Sequence, residues 1–255
     1  MTAPRSVVVH SPSRCVDGLR IAMRVQGEGD PLLLINGMTR PLQSWEQLTR
    51  ALPGRTIITF DSPGVGASPT PLLPLSMRGL AALATAVLDA AGQPADGAVD
   101  VLGFSHGGAV AQQLANDTPR RVRSLVLAAT SCGVGATPSQ RPPALRSMST
   151  SGAGQPWPRP STLGVFWHWL AISSWSSIPF LGAITAPTLV VCGTRDRVAP
   201  PENSRVLAER IPAASLVLLP AGHDLQRPVP ARSLAQLVED FWPSARATDR
   251  AQTRG

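Results

Sequence analysis

Lysine is absent from the 255 residues, so all 23 basic residues are arginine, set against 16 acidic ones for a formal net charge of +7. A basic excess points to nucleic acid when it clusters and alternates with aromatic residues. Here the arginines are scattered, apart from Arg120, Arg121 and Arg123 and a tail group of Arg246, Arg250 and Arg254. With Ala and Pro abundant, the excess reads as compositional bias on a solvated face, and no nucleic-acid partner is expected. Cysteine is scarce too. Cys15, Cys132 and Cys192 lie far apart, without a Cys-X-X-Cys pair or a Cys/His cluster, so they read as reduced thiols and no metal site is implied. Long apolar runs are missing as well: "MTAPRSVVVHSPSRCVDGLR" offers three valines before His10, too few for a signal-peptide core, and a cytoplasmic location is the expectation. Residues 163–181, "LGVFWHWLAISSWSSIPFL", carry no formal charge over nearly a bilayer's width. Four serines, His168, Pro179 and Gly164 interrupt them, and Leu163, Phe166, Trp167 and Leu170 fall at helical spacing. This predicts a lid or surface helix, with no transmembrane segment.

What is present is enough apolar residue, 43%, to bury a full core, and a length that suits one domain with an insertion. Near-continuous apolar runs at 31–37, 56–61, 99–105, 122–130, 187–193 and 214–220 suit parallel strands covered on both faces. Helical patterns alternate with them at 43–53, 76–92, 107–119, 201–212 and 231–242. The pattern predicts an α/β fold, a mostly parallel sheet with helices on both faces. Residues 1–132 and 182–243 form the two parts of the core, and 133–181 interrupt it as an insertion. A disordered tail is expected over 244–255. Trp157, Trp167, Trp169 and Trp175, four of the six tryptophans, fall in the insertion. Either a satellite core or an apolar lid over a site accounts for them.

Gly103, Ser105 and Gly107 form Gly-X-Ser-X-Gly in "VLGFSHGGAVAQQLA", at the junction of a predicted strand and helix. Small residues on either side allow a turn sharp enough to expose the serine hydroxyl above the sheet. A hydroxyl needs a base, and the base needs an orienting acid. Asp196 follows the strand in "PTLVVCGTRDRVAP" and His223 follows the last one in "LVLLPAGHDLQ", so the chain order is Ser, Asp, His. Alone, Asp196 would pass for a turn residue before Pro200. Asp224 is the rival acid, but a neighbour of His223 does not readily fold back onto its imidazole. His10, His106 and His168 lie in the wrong contexts for the base. Asn36-Gly37 end a strand, so the backbone N–H of Met38, beside that of His106, can face an oxyanion; a core-filling Met38 is the competing reading.

With these residues in place, the segments "INGMTRPLQSWEQLTRAL", "ITFDSPGVGASPTP", "VLGFSHGGAVAQQLANDTPRRVRSLVLAAT", "APTLVVCGTRDRVAPPENSRVLAERIP" and "AGHDL" resemble the α/β-hydrolase superfamily. More closely they resemble intracellular depolymerases of medium-chain-length poly(3-hydroxyalkanoate), through Asn36-Gly37, the "DSPGVGAS" loop, "AQQLA" after Ser105 and the stretch 175–178. The resemblance implies an α/β-hydrolase fold with a short lid. It also implies a serine esterase acting on 3-hydroxyacyl esters of a storage polyester, with Ser105, Asp196 and His223 as its triad and no cofactor or metal. A small-molecule or polyester substrate follows, with association at a polyester granule surface, and Phe166, Trp167, Trp169 and Trp175 are the expected lid contacts. A general carboxylesterase or lipase, an acyltransferase or a carbon–carbon bond hydrolase would keep the same triad. A non-catalytic receptor or granule-surface protein would have lost part of it.

Overall fold

The computed structural model describes residues 9–10, 13–140 and 157–252. The described strands begin with four short ones, β1 (Val9–His10), β2 (Arg14–Val16), β3 (Leu19–Ile21) and β4 (Met23–Gln26). Then β5 (Asp30–Ile35), α1 (Glu46–Arg50), β6 (Arg55–Phe60), α2 (Met77–Ala90), β7 (Val99–Phe104), α3 (His106–Asp117) and β8 (Val122–Ala128) alternate. After the insertion, which carries α4 (Thr162–Ser173), come β9 (Thr188–Gly193), α5 (Pro201–Arg210), β10 (Ala214–Leu219) and α6 (Pro228–Gln252). Eight of these strands make one sheet in the order β1-β4-β6-β5-β7-β8-β9-β10, and β2 and β3 pair separately. From β6 across to β10 every pairing is parallel, while β1 and β4 are antiparallel to their neighbours.

Alternation along the strands divides the core in two. Leu33, Ile35, Val101, Leu125 and Leu127 face one cluster, which α2, α3 and α5 complete with residues such as Leu88, Leu114 and Leu207. Leu32, Leu34, Leu102, Phe104 and Val126 face the other, closed by Trp45, Leu48, Leu234, Val238 and Trp242 from the α1 and α6 side. The central strands β5, β7 and β8 are therefore apolar on both faces over most of their length, which is why their sequences run apolar without a period of two. The short N-terminal strands were not expected from the sequence. Each has two to four residues, too few to establish a pattern.

Two expectations are corrected. The tail from Ser244 is helical as far as Gln252, because α6 continues through Pro243 into a stretch carrying Ala245, Ala247 and Ala251, good helix formers; residues 253–255 lie outside the described ones, as do 141–156 of the insertion. Trp175, expected at the lid, is a core residue. Its ring is buried in the α2/α3/α5 cluster and its Nε1 donates to Gln113 Oε1 at 2.7 Å. A buried indole needs such an acceptor, and Gln113 on α3 supplies it. Among the described residues no helix is long and apolar enough to cross a membrane.

Candidate active site

Every parallel strand delivers its C-terminal end to the same edge of the sheet, and the loops leaving that edge carry the site. At the end of β7 the chain turns straight into α3, and Ser105 at the corner has φ 53° and ψ −121°. A non-glycine residue seldom holds such a backbone, and it persists only where its surroundings fix it. Ser105 N donates to Ala128 O at 2.9 Å, and Ser105 O accepts from Thr130 Oγ1 at 2.7 Å and from Gly108 N at 2.9 Å. Any Cβ at Gly107 would run into the backbone of Ile35 and Asn36, and one at Gly108 into Thr130. The turn is thus set by close packing as well as by conformational freedom.

The structure brings the three sequence-predicted polar residues into one line. His223 Nε2 lies 3.1 Å from Ser105 Oγ, and His223 Nδ1 lies 2.8 Å from Asp196 Oδ2. Asp196 is fully buried at its carboxylate and His223 is 13% exposed. The second carboxylate oxygen, Oδ1, accepts from the backbone N–H groups of Val198 and Ala199 at 2.8 and 2.9 Å. These bonds fix the carboxylate plane and leave Oδ2 for the imidazole. Asp224, the rival acid, turns away: its Oδ2 accepts from Arg40 Nη2 at 2.8 Å and Arg227 Nε at 3.3 Å.

The strand β5 ends beside Ser105, where a Cβ on Gly37 would sit 3.5 Å from the Ser105 Cβ. Asn36, buried, braces the following loop by donating from Nδ2 to Pro41 O and Ser44 Oγ, both at 2.9 Å, while its Oδ1 accepts from Gln226 Nε2 at 2.8 Å. Met38, expected from the sequence to offer its N–H to an oxyanion, follows Gly37 on this loop, and His106 directly follows Ser105 at the start of α3. Neither His106 nor His168 is hydrogen-bonded to Ser105 Oγ. The His106 ring is buried edge-on against that of His168, 5.0 Å between centroids, and His168 Nε2 donates to Pro63 O at 3.0 Å. Burial pushes both imidazoles below the ordinary range, and the neighbouring His168 lowers His106 further. His10 lies in β1, remote in sequence from this edge.

Around the serine is a cleft of about 90 Å³, open to solvent, lined by Ser105, His106, Thr130, Ser131, Ile172 and Val198 among others. Sequence reading missed Thr130, Ser131, Ile172 and Val198, although the ends of β8 and β9 follow the same strand-edge rule that located the triad. Ile172 comes from α4, so the insertion does border the cleft. Its helix packs through Gly164, laid on the Gly64 backbone, and through His168. Trp167 turns toward the body and its Nε1 donates to Pro71 O at 3.3 Å. Phe166 and Trp169 stack on the outer face, 6.1 Å apart and about half exposed, with Leu163 and Leu170 beside them.

Asp61, in the loop after β6, holds this region from below. Its buried carboxylate accepts from Leu42 N at 2.6 Å and Ala67 N at 2.8 Å. Burial pushes its pKa up to about 6, against the pull of those bonds and of Arg24. A carboxyl that binds its proton more tightly when folded makes the fold more stable as pH falls through that value. Urea unfolding at pH 7.5 and pH 5 should therefore show wild type gaining roughly 1 kcal/mol more than Asp61→Asn at the lower pH; an equal change in both proteins would assign the pH dependence elsewhere.

A model of the alpha/beta hydrolase family matches residues 32–237. The poly(3-hydroxyalkanoate) depolymerase of Ectopseudomonas oleovorans is 35% identical over 226 residues, spanning 76% of this chain and 77% of that protein. A crystal structure of a hydrolase from Pseudomonas aeruginosa PA01 superposes with a TM-score of 0.76 at 26% identity, covering 94% of this chain and 99% of that one. The enol-lactonase of Burkholderia xenovorans LB400 shares the fold, with a TM-score of 0.77 at 22% identity over 90% of this chain and 99% of its own. The strand order, the serine turn and these matches lead to one conclusion: the chain belongs to the alpha/beta hydrolase family.

Proposed function

We propose that the protein is a serine ester hydrolase that works through an acyl-enzyme, on 3-hydroxyacyl esters of a polyhydroxyalkanoate in the cytoplasm. The observation that carries the reading is the unbroken line from Ser105 Oγ through His223 to the buried Asp196 carboxylate. His223 Nε2 takes the hydroxyl proton as Ser105 Oγ attacks the ester carbonyl, and the N–H groups of Met38 and His106 receive the developing oxyanion. The same imidazole passes that proton to the departing alcohol, then draws one from water, whose oxygen attacks the acyl carbon, and returns it to Ser105 Oγ as the acyl–serine bond breaks and the acid leaves. Asp196 Oδ2 holds Nδ1–H throughout, which fixes the tautomer and stabilises the imidazolium.

Two further observations support the polyester substrate. One is the relatedness to the depolymerase of Ectopseudomonas oleovorans. The other is the uncharged outer face of α4, where Phe166, Trp169, Leu163 and Leu170 remain exposed on the helix whose Ile172 borders the cleft; such a patch suits a water-insoluble chain or granule surface. Each ring buried on substrate contributes about 1.5 to 3 kcal/mol. Replacing Phe166 and Trp169 together by Ser should therefore lower hydrolysis of emulsified polymer by about tenfold or more while 4-nitrophenyl acetate turnover stays within about twofold. Equal losses would make the rings structural. Purified protein should release 3-hydroxy acids from the polymer; turnover confined to short 4-nitrophenyl esters would make it a general carboxylesterase, and transfer to an acceptor other than water an acyltransferase.

A further inference from the structure

We propose that Arg40 and Asp224 are a positioning pair that fixes the loop bearing the base against the loop bearing the oxyanion N–H; this rests on the roles given above to Ser105, His223 and Met38. Arg40 lies two residues beyond Met38, and Asp224 adjoins His223, yet the two are 184 residues apart in the chain. Their contact is short, Nη2 to Oδ2 at 2.8 Å, and largely withdrawn from water, with side chains 5% and 22% exposed. Trp157, from the insertion, lies over the guanidinium with its ring centroid 5.2 Å from Cζ, shielding the pair from one side.

A salt bridge between mobile surface loops does little, but one that is buried and capped has a defined length and direction. This one spans the two segments whose separation decides whether an oxyanion meets its donors while Ser105 Oγ meets the imidazole. The bond from Gln226 to Asn36 ties the same two loops a second time, so that Asn36 and Arg40, on either side of Met38 in the chain, are both held to the segment just after His223. With two such ties, the base-bearing loop cannot slide along the sheet edge without breaking at least one of them. Asp224 does not act on the imidazole, whose Nδ1 is taken by Asp196. It acts through Arg40, and a small misplacement of reacting groups has large kinetic effects.

The test is kcat and KM for a soluble 4-nitrophenyl ester, with kcat expressed per Ser105 titrated by a serine-directed organophosphonate, in wild type, Arg40→Met, Asp224→Asn, the double variant and Arg40→Lys. Each of the two single neutral variants should lose about tenfold in kcat with KM changed less than about twofold. The double variant should be no slower than the worse single one, because the two act as a unit. Arg40→Lys, which keeps a charge within reach of Asp224, should recover more than half of the loss. An unchanged kcat per titrated site, with only a lowered melting temperature or fewer titratable sites, would overturn the proposal, as would additive losses in the double variant. Should Arg40→Met fail to fold, Arg40→Lys and Asp224→Asn still give the comparison. A wild-type protein in which the organophosphonate leaves Ser105 untouched fails differently, by removing the serine assignment itself.

Discussion

Ser105→Ala, His223→Ala and Asp196→Asn should each lower ester turnover by roughly a thousandfold or more, with folding intact. The three side chains form a single hydrogen-bonded line, so removing one leaves the others without their task. Losses in double variants should accordingly fall far short of the product of the single ones. The surroundings explain why folding survives. Asp196 is held by two backbone N–H groups that an amide oxygen can still satisfy, and Ser105 is held through its own backbone rather than its hydroxyl. Asp224→Asn, which touches only the bridge to Arg40 and Arg227, should cost about tenfold, and the gap between the two aspartates is decisive. Near-full activity in Asp196→Asn would remove it as the orienting acid. Circular dichroism and steady-state kinetics on the same samples check both halves.

The largest effect on stability is expected at the opposite edge of the sheet. Asp100, near the start of β7, is almost fully buried and accepts from four donors. Arg55 Nη2 reaches its Oδ2 at 2.7 Å, and Arg123 reaches Oδ1 through Nε at 2.9 Å and Oδ2 through Nη2 at 2.8 Å. Ser124 Oγ donates to Oδ1 at 2.7 Å. Arg55 in turn lies 3.7 Å from the Trp242 ring centroid, joining α6 to the cluster. Burial pushes the carboxyl's pKa up, but the bonds and charges of Arg123, Ser124 and Arg55 outweigh it and hold the group below the usual range. A carboxylate with a depressed pKa contributes stability above its unfolded value and loses it as pH falls through the folded one. At neutral pH the contribution is therefore whole. Asp100→Ala leaves buried guanidinium groups without their carboxylate and should cost about 3 to 5 kcal/mol in denaturant unfolding, while kcat per active site stays near the wild-type value because the cluster lies far from the cleft. A loss below about 1 kcal/mol would mean that the arginines find water instead.

The six parallel strands were legible because each is apolar on both faces and bounded by turn residues, as in Leu32 to Ile35 and Val99 to Phe104. The strands before Asp30 were not legible. Met23 to Gln26 alternates apolar residues with an arginine and a glutamine, and pairing at the sheet edge, rather than sequence, decides its state. Ser105, Asp196 and His223 could be read because each follows a recognisable strand in a fixed order. The lid residues divided unexpectedly, since spacing says which side chains share a helix face but not which face docks. Gly164 and His168 make the contact, so α4 presents its large rings outward, and Trp175 goes to the core because Gln113 awaits it. Arg40 and Asp224 carry no local signal at all, and neither does the tie from Gln226 to Asn36, since only the assembled sheet brings such distant loops together. Part of the arginine excess is structural in the same sense: Arg121 and Arg123, from the small basic group, are committed to ion pairs with Asp89, Asp30 and Asp100.

Reaction of the wild-type protein with a serine-directed organophosphonate, read by intact mass and peptide mapping, tests the serine mechanism most directly. One adduct per chain at Ser105 is expected, formed in step with loss of esterase activity, absent in Ser105→Ala and slowed by orders of magnitude in His223→Ala. An adduct on any other residue, or full ester turnover in Ser105→Ala, would contradict it.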